Sequence, residues 1–272
     1  MTADDAAFAL LARQISRTSG FTLEAYKDKC IRRRIAVRMR ACGVHSYDDY
    51  RALLDRLPGE YEHLRDALTI NVTRFYRNAE TWNLIRREVL PAIFDGTRVE
   101  VRAWSAGCAS GEEPYTLAAL AASYLDEVGR REELARLTID ATDIDRTSLE
   151  RARAACYRPE ALGELPGAVS DAYFDTLGQE QRVIDRVRRR VHVRALDLNR
   201  EPPIRHDYDL ILCRNVVIYF DRATQERLFQ TFADALAPGG YLVLGKVETL
   251  FGAARDRLSL VDARERIYRR PR

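Results

Sequence analysis

The chain has 272 residues, 46% of them hydrophobic and 31% charged, with a formal net charge of +3. This is globular composition, which excludes disordered and collagenous classes, and so small a net charge gives no sign of a nucleic-acid partner. No apolar run approaches the roughly 18–20 residues of a membrane span, and the five cysteines and four histidines are scattered, with no C-x-x-C pair.

The first 70 residues read as a small all-helical domain. Ala7, Leu10, Leu11 and Ile15 fall at helical spacing over Ala6–Ser16. Lys27–Ala41 is a second helix, with Ile31, Ile35 and Met39 on one face and Arg33, Arg34, Arg38 and Arg40 largely off it. Ser46 opens a third helix through Leu57, capped in the S-x-x-D style with Asp49, and Pro58-Gly59 ends it. Glu60–Thr69 is a fourth helix. Residues 71–95 form a linker and entry helix.

From residue 96 the rhythm changes. Val99–Ser105 is a short apolar strand, followed by a Gly/Ser turn and a helix over Pro114–Leu125. Leu137–Thr142 and Asp207–Cys213 are further strands, and Thr224–Leu236 is a helix. Pro238-Gly239-Gly240 turns into a strand over Tyr241–Gly245, and Ser259–Tyr268 reads as one late strand. Strands alternating with helices mean an α/β fold with a parallel, doubly wound sheet. The stretch 159–193 breaks that beat with Gly163, Pro166, Gly167 and Gly178, then an alternating run from Arg182 to Val193. It is expected to be an inserted small antiparallel β-subdomain.

In such a sheet, ligands bind outside the carboxyl ends of the strands. The first strand ends in Ser105-Ala106-Gly107-Cys108-Ala109-Ser110-Gly111-Glu112-Glu113, which is neither G-x-G-x-x-G nor a Walker loop. Glu112 and Glu113 would repel a pyrophosphate and suit a cation, or they merely favour the helix N-terminus that follows. Asp143, after the second strand, can accept ribose hydroxyls or cap the next helix, for which Asp145 is the better candidate. A nucleoside carrying positive charge and no phosphate fits both places. S-adenosylmethionine has those properties; NAD lacks its glycine fingerprint here. Asn215 breaks an apolar run at a strand terminus, and Tyr219 follows it as either a site residue or a core aromatic.

These segments, taken in order, resemble the CheR family of chemoreceptor glutamate methyltransferases over nearly the whole chain. The carriers are N-V-T-R-F-Y-R at Asn71–Arg77, W-S-A-G-C-A-S-G-E-E-P-Y at Trp104–Tyr115 and A-T-D-I-D at Ala141–Asp145. C-R-N-V-V-I-Y-F-D at Cys213–Asp221 and L-x-P-G-G-x-L at Leu236–Leu242 complete the pattern. The resemblance implies an N-terminal helical domain (1–70) and a class I, Rossmann-like methyltransferase domain (96–272) with the β-subdomain inserted. It implies S-adenosylmethionine as methyl donor, S-adenosylhomocysteine as product, and a glutamyl methyl ester on a chemoreceptor's cytoplasmic helices.

By motif position the resemblance assigns Asn71, Thr73, Arg77, Glu112, Asp143, Asp197, Leu198, Asn215 and Val216 to cofactor binding, with Glu113 as the alternative to Glu112. Arg77 and Tyr219 are placed nearest the transferred methyl. The family's usual Asn-Leu pair reads Asp197-Leu198 here, with Asn199 one step later, and its G-x-S-E reads Gly245-Lys246-Val247-Glu248, without the serine. Arg33, Arg34 and Arg38 could dock glutamate-bearing receptor helices, or could be a solvated face in a chain with 41 arginines and three lysines. The β-subdomain either grips a receptor tail by strand addition or acts as a flap.

Asp4 and Asp5 stand where a secretion signal would be basic, so the chain is expected in the cytoplasm, as a monomer without a metal, nucleic acid or membrane insertion. Two rival readings are a nucleic-acid methyltransferase, for which the N/D-P-P-Y type motif is missing, and a sensory module that holds S-adenosylmethionine without turnover.

Overall fold

A computed structural model describes residues 2–19, 21–69, 72–95 and 98–272. The chain divides into two compact units, Met1–Ile70 with Ile218–Gln225, and Asn71–Val217 with Glu226–Arg272. The segment Ile218–Gln225 groups with the N-terminal helices.

The helical unit contains α1 (Ala3–Ser19), α2 (Asp28–Ala41), α3 (Tyr47–Arg56) and α4 (Glu60–Leu68). Helix α2 buries Ile31, Ile35 and Met39, the four-residue stripe read from sequence. Ser46 caps α3: its Oγ accepts the Asp49 amide at 3.1 Å and donates to Asp49 Oδ2 at 2.7 Å, two polar groups satisfied reciprocally. Leu11, Ile15, Tyr50, Leu54, Leu64 and Leu68 complete the core. The Ile218–Gln225 segment is held by backbone bonds from Lys27 N to the Tyr219 carbonyl and from Asp221 N to the Ala25 carbonyl, both 2.9 Å. The rings of Tyr26 and Phe220 pack at 4.7 Å.

The second unit opens with α5 (Ala79–Leu84), which runs through a single π-helical turn into α6 (Leu90–Phe94). Then come β1 (Val101–Ala106), α7 (Glu112–Glu127), β2 (Leu137–Asp143) and α8 (Arg146–Ala154). The insert supplies β3 (Cys156–Tyr157), α9 (Gly167–Tyr173), β4 (Phe174–Leu177), β5 (Glu180–Val183) and α10 (Asp185–Arg188). The chain continues with β6 (Val191–Ala195), β7 (Tyr208–Cys213), α11 (Arg222–Ala235) and β8 (Leu236–Leu244). It ends with α12 (Ala253–Arg257), β9 (Ser259–Asp262) and β10 (Ile267–Arg269).

The main sheet has the order β6-β2-β1-β7-β8-β10-β9. Strands β6, β2, β1, β7 and β8 are parallel, and β10 and β9 run antiparallel at one edge. Strand β7 is buried throughout, as a central parallel strand requires. Helix α7 is buried on nearly every side. Its alanines 118, 119, 121 and 122 let it lie close both to the sheet and to α9 and α10. Strand order reverses between β1 and β7, so the crevice at a sheet's switch point falls between the loops that follow those two strands.

Three expectations change. The alternating run Arg182–Val193 is no single strand: it ends β5, turns through α10 and re-enters as β6, which pairs parallel with β2. The three-stranded sheet β3-β5-β4 therefore starts at Cys156 and stops at Val183. The late strand is a hairpin, because Asp262 Oδ1 accepts the amides of Arg264 and Glu265 at 2.8 and 2.7 Å and turns the chain. Pro238-Gly239-Gly240 lies inside β8 as a register shift opposite Tyr208–Leu210, not before the strand. A Cβ on Gly240 would stand 2.6 Å from the Tyr208 carbonyl oxygen, so glycine allows that close approach.

Candidate functional site

The loop after β1 folds over the end of β2. The amides of Gly107 and Cys108 both donate to the Thr142 carbonyl, at 2.8 and 2.9 Å. Ala109 then donates its amide to Asp143 Oδ2 at 2.9 Å, and the Asp145 amide donates to Oδ1 at 2.9 Å. The Ile144 amide bonds this carboxylate as well. Burial pushes this carboxyl above its ordinary value, against the pull of those amides. The helix cap is Asp145, which accepts the amide of Thr147 at 3.0 Å and the hydroxyl of Ser148 at 2.9 Å. Asp143 is thus free of the capping task.

The two glutamates that open α7 have separate surroundings. Glu113 accepts the Ser105 hydroxyl at 2.8 Å and faces Arg214 Nη1 at 3.5 Å, so it belongs to the interior. Glu112 has no ion-pair partner within 4.0 Å among the described residues. It is 8% exposed, and the Ser110 hydroxyl reaches its two oxygens at 2.8 and 3.0 Å. Thr73 adds a further hydrogen bond, and burial raises the Glu112 carboxyl above its ordinary value. Thr73 and Glu112, distant in sequence, are thereby brought together.

Arg77 is half-buried, and its Nη1 donates to the Val72 carbonyl at 2.9 Å, closing the loop onto itself. Asn71 lies outside the described residues. Asp197 and Leu198 leave the sheet beside Asp143, since Leu196 donates its amide to the Asp143 carbonyl at 3.0 Å. Asp197 Oδ1 accepts the Asn199 amide at 2.8 Å, while the Asn199 side chain receives Arg227 at 3.4 Å.

Across the switch point, Asn215 sits at φ 60° and Val216 leans on the glycine turn. A Cβ on Gly107, itself at φ +84°, would be 2.4 Å from Val216 Cγ2. Asn215 Oδ1 is buried and has no hydrogen-bond partner among the described residues. Sequence reasoning left Glu248 without a role. It is 2% exposed and accepts three amides: Asn215 and Val216 at 2.9 Å and Gly245 at 2.6 Å. Its sequence signal is its place as the glutamate of the G-x-S-E position, Gly245-Lys246-Val247-Glu248.

Tyr219 lies in the helical unit, its ring 5.5 Å from Arg34 Cζ. Arg34 also donates to the carbonyls of Ala67 and Leu68. Arg38 forks onto Glu60, with Nε to Oε1 at 2.9 Å and Nη2 to Oε2 at 2.7 Å. Of the three arginines expected to form a docking face, only Arg33 is exposed; Arg34 and Arg38 hold the helices together. Among the described residues, no group of His, Cys, Asp or Glu could hold a metal, and no helix is long and apolar enough to cross a membrane.

Residues 71–267 match the family described as "CheR methyltransferase, SAM binding domain", and residues 6–69 match "CheR methyltransferase, all-alpha domain". The chain is 34% identical over 261 residues to the chemotaxis protein methyltransferase of Klebsiella aerogenes, covering 93% of this chain and 86% of that one. It is 33% identical over 245 residues to a probable chemotaxis protein methyltransferase of Rhizobium etli, covering 87% and 90%. It is 32% identical over 254 residues to the chemotaxis protein methyltransferase of Escherichia coli, covering 90% and 84%.

Proposed function

The chain belongs to the CheR methyltransferase family, and from that premise we propose that it methylates glutamate side chains on the cytoplasmic helices of a chemoreceptor. The observation that carries this reading is the pair of carboxylates at the β1–α7 and β2 ends, Glu112 buried and Asp143 half-buried. Glu112 and Asp143 are both pushed above the ordinary carboxyl value by burial. A cation desolvated beside Glu112 would relieve that cost. These residues fit S-adenosylmethionine: Glu112 for its ammonium, Asp143 for the ribose hydroxyls, and Asn215 with Val216, Asp197 and Leu198 for the adenosine. The orphaned Asn215 Oδ1 supports the fit, because a buried acceptor without a donor is costly until a ligand supplies one.

The bound cofactor supplies a methyl group made electrophilic by its sulfonium. The protein needs no general base, because a glutamate side chain is already ionised at neutral pH. Its task is alignment and exclusion of water, and well-oriented reactions gain roughly 7–11 kcal/mol from positioning. In this reading the Arg77 guanidinium leaves the Val72 carbonyl and orients the substrate carboxylate. Arg33, with Lys29 on the exposed side of α2, meets the acidic receptor helix.

The test mixes the protein, methyl-labelled S-adenosylmethionine and a receptor cytoplasmic fragment from the same genome, then adds alkali. Carboxyl esters release volatile labelled methanol; N-methyl and ether linkages do not. Receptor-dependent volatile label is the expected result. Alkali-stable label, or none despite cofactor binding by calorimetry, would reject the glutamate reading.

A further inference from the structure

We propose that Arg214 is a positioning residue for Arg77, an inference that rests on the catalytic role given to Arg77 above. Arg214 is 7% exposed, an unusual place for a guanidinium. Its Nη2 donates to the Arg77 carbonyl at 2.6 Å and to Asn78 Oδ1 at 3.1 Å. Its Nη1 faces Glu113 Oε2 at 3.5 Å, and its Cζ lies 5.2 Å from the Trp82 ring centroid. One planar group therefore ties the Arg77 backbone to the end of β7, the start of α7 and the wall of α5.

The backbone at Arg77 needs such a tie. Tyr76 and Asn78 lie at φ 54° and 64°, so two left-handed residues flank Arg77. That conformation is unfavourable for a tyrosine and persists only where surroundings hold it. Tyr76 is held from one side, its amide donating to Thr116 Oγ1 at 3.2 Å and its hydroxyl to Asn83 Oδ1 at 2.6 Å. Arg214 holds the other side. A lysine at 214 would keep the charge opposite Glu113 but lack the rigid fork that serves Arg77 and Glu113 together. Arg214 touches no reacting atom in this scheme; it acts through the place it gives Arg77.

The test is a double-mutant cycle on the full chain, read as kcat at saturating receptor fragment, together with trypsin cleavage followed by mass spectrometry. Arg214→Lys is expected to lower kcat by about 10²-fold, the scale of a 1 Å misplacement. Arg214→Lys added to Arg77→Ala should lower it no further than Arg77→Ala alone, since the effect of Arg214 runs through Arg77. Without added cofactor, cleavage of the Arg77–Asn78 bond should accelerate in Arg214→Lys relative to cleavage at exposed arginines. If Arg214→Lys fails to fold, Asn78→Gly removes one acceptor while keeping a left-handed backbone, and Asn78→Asp restores it. Asn78→Gly should then lower kcat and Asn78→Asp recover it.

A normal kcat for Arg214→Lys beside an inactive Arg77→Ala would overturn the positioning role and leave the proposed function intact. Losses that multiply, or unchanged cleavage at Arg77, would overturn it equally. Normal turnover by Arg77→Ala would instead remove the catalytic reading on which the inference stands.

Discussion

The carboxylate of Glu248 accepts the Val216 amide at 2.9 Å and, through its other oxygen, the Asn215 amide at the same distance. The loop after β8 thereby sets the backbone of the loop after β7, at the crevice where strand order reverses. A residue that touches no ligand can in this way shape the adenosine side of the pocket.

Glu248→Ala should leave buried amides unpaired, at about 1–3 kcal/mol each. We expect a lower Tm and S-adenosylhomocysteine affinity weakened by about tenfold or more, a free-energy change of about 1.4 kcal/mol. Calorimetric titration with S-adenosylhomocysteine decides this. Wild-type affinity in a folded Glu248→Ala protein would separate the loop from the pocket.

Gly107 has two reasons to be glycine: its φ of +84° and the 2.4 Å approach of Val216 Cγ2 to any Cβ there. Gly107→Ala should therefore cost about 1–3 kcal/mol from overpacking, with backbone strain added. Gly107→Ala with Val216→Ala should recover the packing part and leave the strain. Thermal unfolding of the four proteins would show this non-additivity; strictly additive shifts would contradict it.

Burial raises the Glu112 carboxyl, so its charged form is disfavoured in the folded apoprotein. The sign follows: relative to an exposed glutamate, Glu112 burdens stability as pH rises through its folded-state value. Glu112→Gln should accordingly raise the Tm at neutral pH while weakening cofactor affinity, a trade-off common at binding sites. Wild-type affinity for S-adenosylhomocysteine should fall as pH drops through a range above the ordinary glutamate value of 4.5, and Glu112→Gln should lose that dependence. An identical pH profile in both proteins would assign the ammonium to another group.

Burial alone would raise Glu60, yet its hydrogen bonds with Arg38 and Tyr50 hold its carboxyl below the ordinary value. Such a group stabilises the helical unit above its unfolded value, and that stabilisation is lost as pH falls through the folded one. Arg38→Ala should destabilise this unit by about 1.5–3 kcal/mol at neutral pH, with the difference from wild type shrinking in acid. Arg33→Glu should instead leave Tm unchanged and raise the KM for the receptor fragment, more at low salt than at high. A salt-independent KM for Arg33→Glu would make that arginine merely solvated.

Local chemistry was legible without tertiary structure. The stripe Ile31–Ile35–Met39, the Ser46 and Asp145 caps, and the apolar runs of β1, β2 and β7 follow from spacing and side-chain type, which act over a few residues. The placing of carboxylates after β1 and β2 follows as well, because parallel strands put their ends on one side. Tertiary structure alone decided which of two adjacent glutamates takes an internal cation, since that depends on Arg214, a hundred residues from Glu113. It alone committed Arg34 and Arg38 to internal bonds, split the Arg182–Val193 run between two sheets and made Glu248 a clamp. In each of these the outcome rests on desolvation and long-range hydrogen bonding, and periodicity along a chain carries no record of which distant group will arrive to satisfy a buried charge.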